Sequence, residues 1–258
     1  AVEYFVSYYD YFQPEAYLPS SDTYIEKETD INEEIEKLRL SATTSLLTRK
    51  DVIVVASVSA IYNLGSPEEY GAARLSLKRG VKVGLDQVLK ILNKMYYKRN
   101  DIDFKRAAYR LKGDTLDIFP ADKNNAVRVE FLGDKVEKIS LMDPLTGDIT
   151  PTLETQVIYP AKHYMTDPNS YDHVFPKIRK DLAEQVDRFK AAGKLIEAQR
   201  IEQRTNFDLE MLTNTGFVSG IENYSRQIEG REPGSAPSTL IDYFPDDYLM
   251  LIDESHMS

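Results

Sequence analysis

Three glycine-aspartate turns constrain this chain more than any other feature: Lys112-Gly113-Asp114, Leu132-Gly133-Asp134 and Thr146-Gly147-Asp148. Glycine reaches positive φ without a steric penalty, so each pair marks a tight reversal between extended runs. The runs they separate have strand character: Phe104 to Leu111, Thr115 to Phe119, Ala126 to Leu132, Lys135 to Met142, and Thr152 to Tyr159. Strands joined by such short turns form a locally connected antiparallel meander. Residues 73–165 are therefore read as a separate α+β domain.

The flanking sequence has a different rhythm, in which helix and strand alternate. Asp30-Ile31-Asn32-Glu33 has the form of a capping box, and Ile31, Ile35, Leu38, Ala42 and Leu46 follow at helical spacing. This predicts a helix to about Thr48 with one buried face. Val52 to Ser57 is a β-branched run without alternation, the pattern of a parallel strand buried on both faces. Ser66-Pro67-Glu68-Glu69 is a second cap with proline at the first helical position, and a further helix is expected from Asp86 to Met95. From Lys177 to Thr213 the pattern is helical but interrupted at Gly193, giving two helices or one kinked at Ala191-Ala192-Gly193. Heptads are not sustained there, which disfavours a coiled coil. Tyr248 to Ile252 is another apolar run read as a buried strand. The meander is thus an insertion in an α/β domain.

The 258 residues are ample for a real core, and 42% hydrophobic with 29% charged is ordinary for a globular protein. A net charge of −10 argues against indiscriminate phosphate binding. No cysteine is present, which excludes a disulfide framework or thiolate metal site and fits a cytoplasmic home. No apolar run approaches the roughly 20 residues of a membrane span, and no signal-peptide pattern opens the chain. Ala1 begins directly in a strand-like run and Ser258 closely follows an apparent site motif, so the sequence reads as an internal piece of a longer protein.

The start of the chain is dense in aromatic rings. Tyr4, Tyr8, Tyr9, Tyr11, Tyr17 and Tyr24 are joined by Phe5 and Phe12, with Pro14 and Pro19 among them. The prolines rule out a helix interior or central strand, leaving an edge hairpin or extended loop. Rings on a hairpin can stack on nucleic-acid bases, each worth roughly 1–3 kcal/mol whatever the base. They can equally seal a domain edge or form a protein contact. The surrounding charges are Glu3, Asp10, Glu15, Asp22, Glu26, Glu28 and Asp30 against Lys27 alone. Any nucleic-acid affinity here must come from stacking rather than from phosphate attraction.

At the other end, the apolar run delivers Asp253-Glu254-Ser255-His256. Open α/β sheets bind ligands at the carboxyl ends of their strands. A strand ending in Asp-Glu matches a Walker B arrangement: Asp253 would hold Mg²⁺ on nucleotide phosphates, directly or through water, and Glu254 would orient and deprotonate the attacking water. Two acids also end many ordinary strands. The phosphate loop G-x-x-x-x-G-K-[ST] is absent from the sequence, so this chain alone has no cradle for the phosphates.

The run Ser7 to Tyr17 with Asp22-Thr23-Tyr24-Ile25-Glu26-Lys27, the stretch Ser57 to Pro67, and Gly216 to Arg226 together resemble the UvrB family of bacterial nucleotide excision repair. The resemblance covers essentially the whole chain, and the hairpin match is the most specific part. Phe12 stands where the family more often has Tyr, which keeps the ring and loses a hydroxyl; Ala60 and Asn63 replace an expected Cys and Gly. The family's fold implies an α/β, helicase-like (P-loop NTPase, RecA-like) domain part with an inserted antiparallel α+β domain and a protruding β-hairpin. It implies a strand and DNA-probing hairpin over 1–31, helicase-like parts over 32–72 and 166–258, and a UvrA-docking domain over 73–165.

By the same resemblance, Tyr8, Tyr9, Tyr11, Phe12, Glu15, Tyr17 and Tyr24 contact DNA, and Arg99, Arg110, Arg128 and Glu130 contact UvrA. Asp253 and Glu254 serve the ATP–Mg²⁺ site of the parent, and His256, in a D-E-x-H arrangement like that of helicases, couples it to the DNA surface. The parent would be a DNA-dependent ATPase that verifies damage and passes DNA to UvrC. This stretch, lacking the phosphate loop, is expected to bind neither ATP nor Mg²⁺ tightly and to be inactive alone. The reading from another class is a non-enzymatic interaction module whose tyrosines contact protein. The transcription–repair coupling factor shares the docking domain but lacks the tyrosine-rich hairpin.

Overall fold

The computed structural model describes residues 1–7, 9–13, 16–18, 23–25, 28–165, 171–215, 218 and 220–254, and within 9–31 it describes the backbone. The chain opens with β1 (Val2–Phe5), followed by β2 (Tyr9–Gln13), β3 (Ala16–Leu18), β4 (Thr23–Ile25) and β5 (Glu28–Ile31). β2 pairs antiparallel with β5 and β3 with β4, so two short ladders are nested in one another. Phe12 lies opposite Thr29 and Tyr17 opposite Tyr24, with a register shift between Tyr9 and Phe12.

Helix α1 (Glu33–Thr48) follows at once, capped by Asn32, whose side chain accepts from the Glu34 and Ile35 amides. The cap expected at Asp30 is displaced by two residues because Asp30 is still engaged in β5. The helix buries Arg39, Leu40, Ala42, Thr43, Thr44, Ser45 and Leu46, a broader face than the single stripe expected from sequence. Thr43 donates its hydroxyl to the Leu40 carbonyl one turn back, which offsets the cost of burying it.

β6 (Ile53–Ala56) runs parallel to β1, with Val2 beside Ile53 and Tyr4 beside Val55. The run was expected to be covered on both faces, and it is not. α1 covers one side, where Phe5 is fully buried in one core with Leu40, Ala42 and Leu46. Val2, Tyr4, Ile53 and Val55 remain half or more exposed on the other. A β-branched run records suitability for burial; which layers supply the burial is a tertiary matter.

A 3-10 turn (Val58–Ile61) leads to α2 (Pro67–Ala72), where Ser66 accepts from the Glu69 amide and Pro67 occupies the first helical position, as the cap pattern predicts. Residues 75–158 contain β7 (Leu75–Lys78), α3 (Leu85–Lys94), β8 (Lys98–Arg99), β9 (Ala108–Lys112), β10 (Thr115–Phe119), β11 (Ala126–Leu132), β12 (Lys135–Met142), β13 (Ile149–Leu153) and β14 (Thr155–Ile158). Six of these form one sheet in the order β13-β12-β11-β10-β9-β8, antiparallel except for β8 with β9. Gly113, Gly133 and Gly147 all take positive φ at the reversals, at +58°, +58° and +79°.

Two strand boundaries differ from the expectation. Residues 104–107 precede the strand, because Ala107 sits at φ +60° and breaks the extended run. The run Thr152 to Tyr159 splits at Glu154, whose carbonyl accepts from the Arg79 amide, so β13 ends the meander and β14 pairs with β7. One face of the sheet carries Leu116, Ile118, Val127, Val129 and Ile139 into a core shared with Val88 and Leu92 of α3.

The chain divides into two compact units, residues 1–165 with 238–258, and residues 166–237. In the second unit α4 (Tyr171–Ala191) and α5 (Leu195–Thr215) are two helices rather than one kinked helix. Gly193 at φ +73° makes the break, and Lys194 donates back to the Phe189 carbonyl. Val174, Ile178 and Leu209 form its core, to which α6 (Ser225–Ile228) adds Ile228.

In the first unit, Leu240 and Tyr243 enter the main core, and Ser238 accepts from the Leu64 amide. Residues Tyr248 to Ile252 depart from the expected buried strand: they take no strand conformation, and Leu249 and Leu251 are 83% and 87% exposed. No strand among the described residues pairs with them, and an apolar run without a ladder partner has nothing to bury its backbone against.

Candidate interaction face

The side of the six-stranded sheet away from the core carries a charged row assembled by strand register. Asp117 on β10 lies directly opposite Arg110 on β9 and Arg128 on β11, and Arg128 lies opposite Ser140 on β12. Cross-strand partners in an antiparallel ladder share a face, so three charges from three successive strands meet. Arg128 grips the Asp117 carboxylate with two bonds, Nε to Oδ1 at 2.6 Å and Nη2 to Oδ2 at 2.8 Å, while Arg110 Nε reaches Oδ2 at 2.9 Å. Arg110 also lies over the Phe104 ring, with its guanidinium carbon 4.4 Å from the ring centroid.

Asp117 is only 3% exposed. Burial pushes its carboxyl up, but the hydrogen bonds from Arg128 and Arg110 and their positive charge outweigh it and hold it below the usual carboxylate range. The same bond pushes the Arg128 guanidinium up. One register step along, Glu130 faces Lys138, with Oε1 and Nζ 3.5 Å apart. Of the four residues expected to contact a partner, the fold therefore brings Arg110, Arg128 and Glu130 onto one face.

Arg99 is placed elsewhere. It pairs in register with Tyr109, whose ring is buried, rather than with Arg110. It forms an ion pair with Asp101 at 2.9 Å and lines a cavity of about 380 Å³ together with Glu33, Glu36, Lys98, Lys105 and Arg106. Tyr96 and Ala107, two of the non-glycine residues at positive φ, also line that cavity. At its edge burial pushes the Glu36 carboxyl up and the Lys162 ammonium down, each opposed by the charge of the other.

Asp117 was not singled out from the sequence. Its signal is an acid at the centre of Thr115-Leu116-Asp117-Ile118-Phe119, a strand otherwise nearly apolar, yet nothing local says which cations will face it.

The side chains of Tyr8, Tyr9, Tyr11, Phe12, Glu15, Tyr17 and Tyr24 lie outside the described residues, as does His256. Asp253 and Glu254 are exposed on a turn, where Asp253 Oδ1 accepts from the Glu254 amide at 2.9 Å and Glu254 sits at φ +50°. Two acids on an exposed turn, in a sequence without a phosphate loop, do not make a nucleotide site by themselves. Among the described residues no group of three or more His, Cys, Asp or Glu side chains is placed to hold a metal ion, and no helix is long and apolar enough to cross a membrane.

Comparison with known proteins covers both units. Residues 75–164 match the UvrB interaction domain, and residues 169–230 match the UvrB third helical domain. Along its full length the chain is 54% identical to the UvrABC system protein B of Lactococcus lactis subsp. lactis and 54% identical to that of Gemmatimonas aurantiaca. It is 53% identical to that of Streptococcus pyogenes. It spans 37% of the length of the first two relatives and 39% of the third.

Proposed function

The chain belongs to the UvrB family, and on that premise we propose that it carries the damage-probing and UvrA-docking parts of a nucleotide excision repair protein. The observation that carries this reading is identity above half with UvrABC system protein B along the whole of this chain, together with a charged face on the sheet of the matched interaction domain. Docking on UvrA uses the sheet face around Arg110, Arg128 and Glu130, with Arg99 contributing at the sheet edge. Planar guanidinium groups in fixed positions suit carboxylates on a partner, which they grip with two parallel bonds.

DNA contact belongs to the nested ladders of 9–31. Tyr9, Tyr11, Phe12, Tyr17 and Tyr24, with Tyr8 just before them in sequence, supply the stacking surfaces, and the acidic residues Asp10 and Glu15 repel duplex that offers phosphate alone. Asp253, Glu254 and His256 contribute to a helicase-like ATP–Mg²⁺ site whose phosphate loop this sequence does not contain. The complete protein would then deliver verified DNA to UvrC in the cytoplasm.

The test of docking is a titration of this chain with UvrA. Arg128→Ala is expected to weaken binding by roughly 2–5 kcal/mol, as truncating one member of a desolvated charge pair does. Arg110→Ala should act in the same direction and Arg99→Ala less. Unchanged affinity in all three, with folding intact, places the interface elsewhere.

A further inference from the structure

We infer that Asp117 is a positioning residue for partner docking: it clamps Arg110 and Arg128 by their inner edges so that both present a fixed outer edge to a carboxylate on the partner. The inference rests on the docking face proposed above and adds a residue that touches the partner only through the arginines.

Each arginine is engaged on one side only. Asp117 takes Nε of Arg110 and both Nε and Nη2 of Arg128, while Met142 Sδ lies 3.9 Å from Arg110 Nη2. Among the described residues nothing accepts from Nη1 of either arginine, and their side chains are 24% and 25% exposed. The clamp thus consumes the inward donors and leaves outward ones for a ligand. Phe104 beneath Arg110 restricts it further.

Charge and entropy both favour this role. Two guanidiniums around one carboxylate carry a net +1, a local exception on a chain of net charge −10. An isolated arginine loses rotamer freedom when a partner immobilises it, whereas a clamped one has lost it on folding. Stability alone does not call for the arrangement, since an apolar row at these positions would avoid desolvating three charges. The row lies on the face away from the main core, beside a small apolar cluster of Phe119, Ala126 and Met142 with Phe104 packed against it.

The experiment measures UvrA binding of the full chain as wild type, Asp117→Asn, Arg110→Ala/Arg128→Ala, and the triple variant. Each is first checked for a cooperative melt above the assay temperature. Asp117→Asn is expected to weaken binding about tenfold or more. In the double-alanine background it should add nothing, because the residue acts only through those arginines. Wild-type affinity in Asp117→Asn overturns the inference, and so does an equal loss in both backgrounds, which would mark a general structural effect. If the double-alanine variant binds like wild type, the docking face itself is wrong, a failure distinct from that of the clamp. Should Asp117→Asn not fold, the Nε–H resonances of the wild-type chain decide. Two slowly exchanging signals, removed one at a time by Arg110→Lys and Arg128→Lys, support the clamp; exchange as fast as that of exposed arginines refutes it.

Discussion

Thr43 Oγ1 lies 3.1 Å from His163 Nε2, joining the middle of α1 to a residue 120 positions later. The His163 ring stacks on Tyr70 with centroids 5.7 Å apart and meets the edge of Phe5 at 6.3 Å. Burial first, and then the nearby Arg39 charge, push the His163 pKa from 6.5 down to about 3. The folded protein therefore refuses a proton that the unfolded chain accepts. Over that window the unfolded state binds more protons, so stability falls as pH falls, by about 1.4 kcal/mol per pH unit. Urea melts of wild type and His163→Gln should diverge in slope between pH 6.5 and 5, with the variant the flatter. Parallel slopes would show that the imidazole is not held neutral.

Glycines at positive φ should separate backbone strain from crowding. At Gly113, φ +58°, an added Cβ meets nothing within 4 Å, so Gly113→Ala should cost only about 1 kcal/mol for the left-handed conformation. At Gly65, φ +95°, the Cβ would lie 3.2 Å from the His163 carbonyl oxygen and 3.3 Å from the Tyr164 ring. Gly65→Ala should cost clearly more, read as a lower denaturant midpoint. Equal midpoints would mean that the Gly65 backbone shifts freely.

The hairpin prediction follows from the conflict between its rings and its charges. If stacking supplies the DNA contact, Tyr8→Ala, Tyr9→Ala and Tyr11→Ala should each weaken oligonucleotide binding by roughly 1–3 kcal/mol, and the Phe variants far less. Asp10→Asn and Glu15→Gln should strengthen binding to undamaged duplex at low salt. The measurement is affinity for damaged and undamaged duplexes in the full-length protein across a salt series. Equal losses in the Ala and Phe variants would exclude stacking.

ATP turnover by this chain alone is expected to stay at the buffer blank, with or without DNA, because the sequence has no phosphate loop. Mg²⁺-dependent hydrolysis abolished by Glu254→Gln would overturn that assignment of parts.

Much of the fold was legible in local chemistry. Gly113, Gly133 and Gly147 announced the reversals of the meander because positive φ is a property of the residue itself. Ser66 and Pro67 announced α2, and Gly193 the break between α4 and α5, for similarly local reasons. The family resemblance was legible too, carried by the aromatic run and by the stretches Ser57 to Pro67 and Gly216 to Arg226 rather than by composition.

What the sequence could not decide is which groups meet. Val52 to Ser57 and Tyr248 to Ile252 carry the same kind of apolar run, yet only the first finds a ladder partner, and that one is covered on a single face. Residues 152–159 read as one strand but serve two sheets, because Glu154 answers to Arg79. Arg99, Arg110 and Arg128 look alike in the sequence; register alone sends two of them to Asp117 and the third to the cavity beside α1. Propensity and turn chemistry act over a few residues, whereas pairing, burial and charge depend on neighbours brought in from dozens of residues away. Those neighbours exist only once the chain has closed on itself.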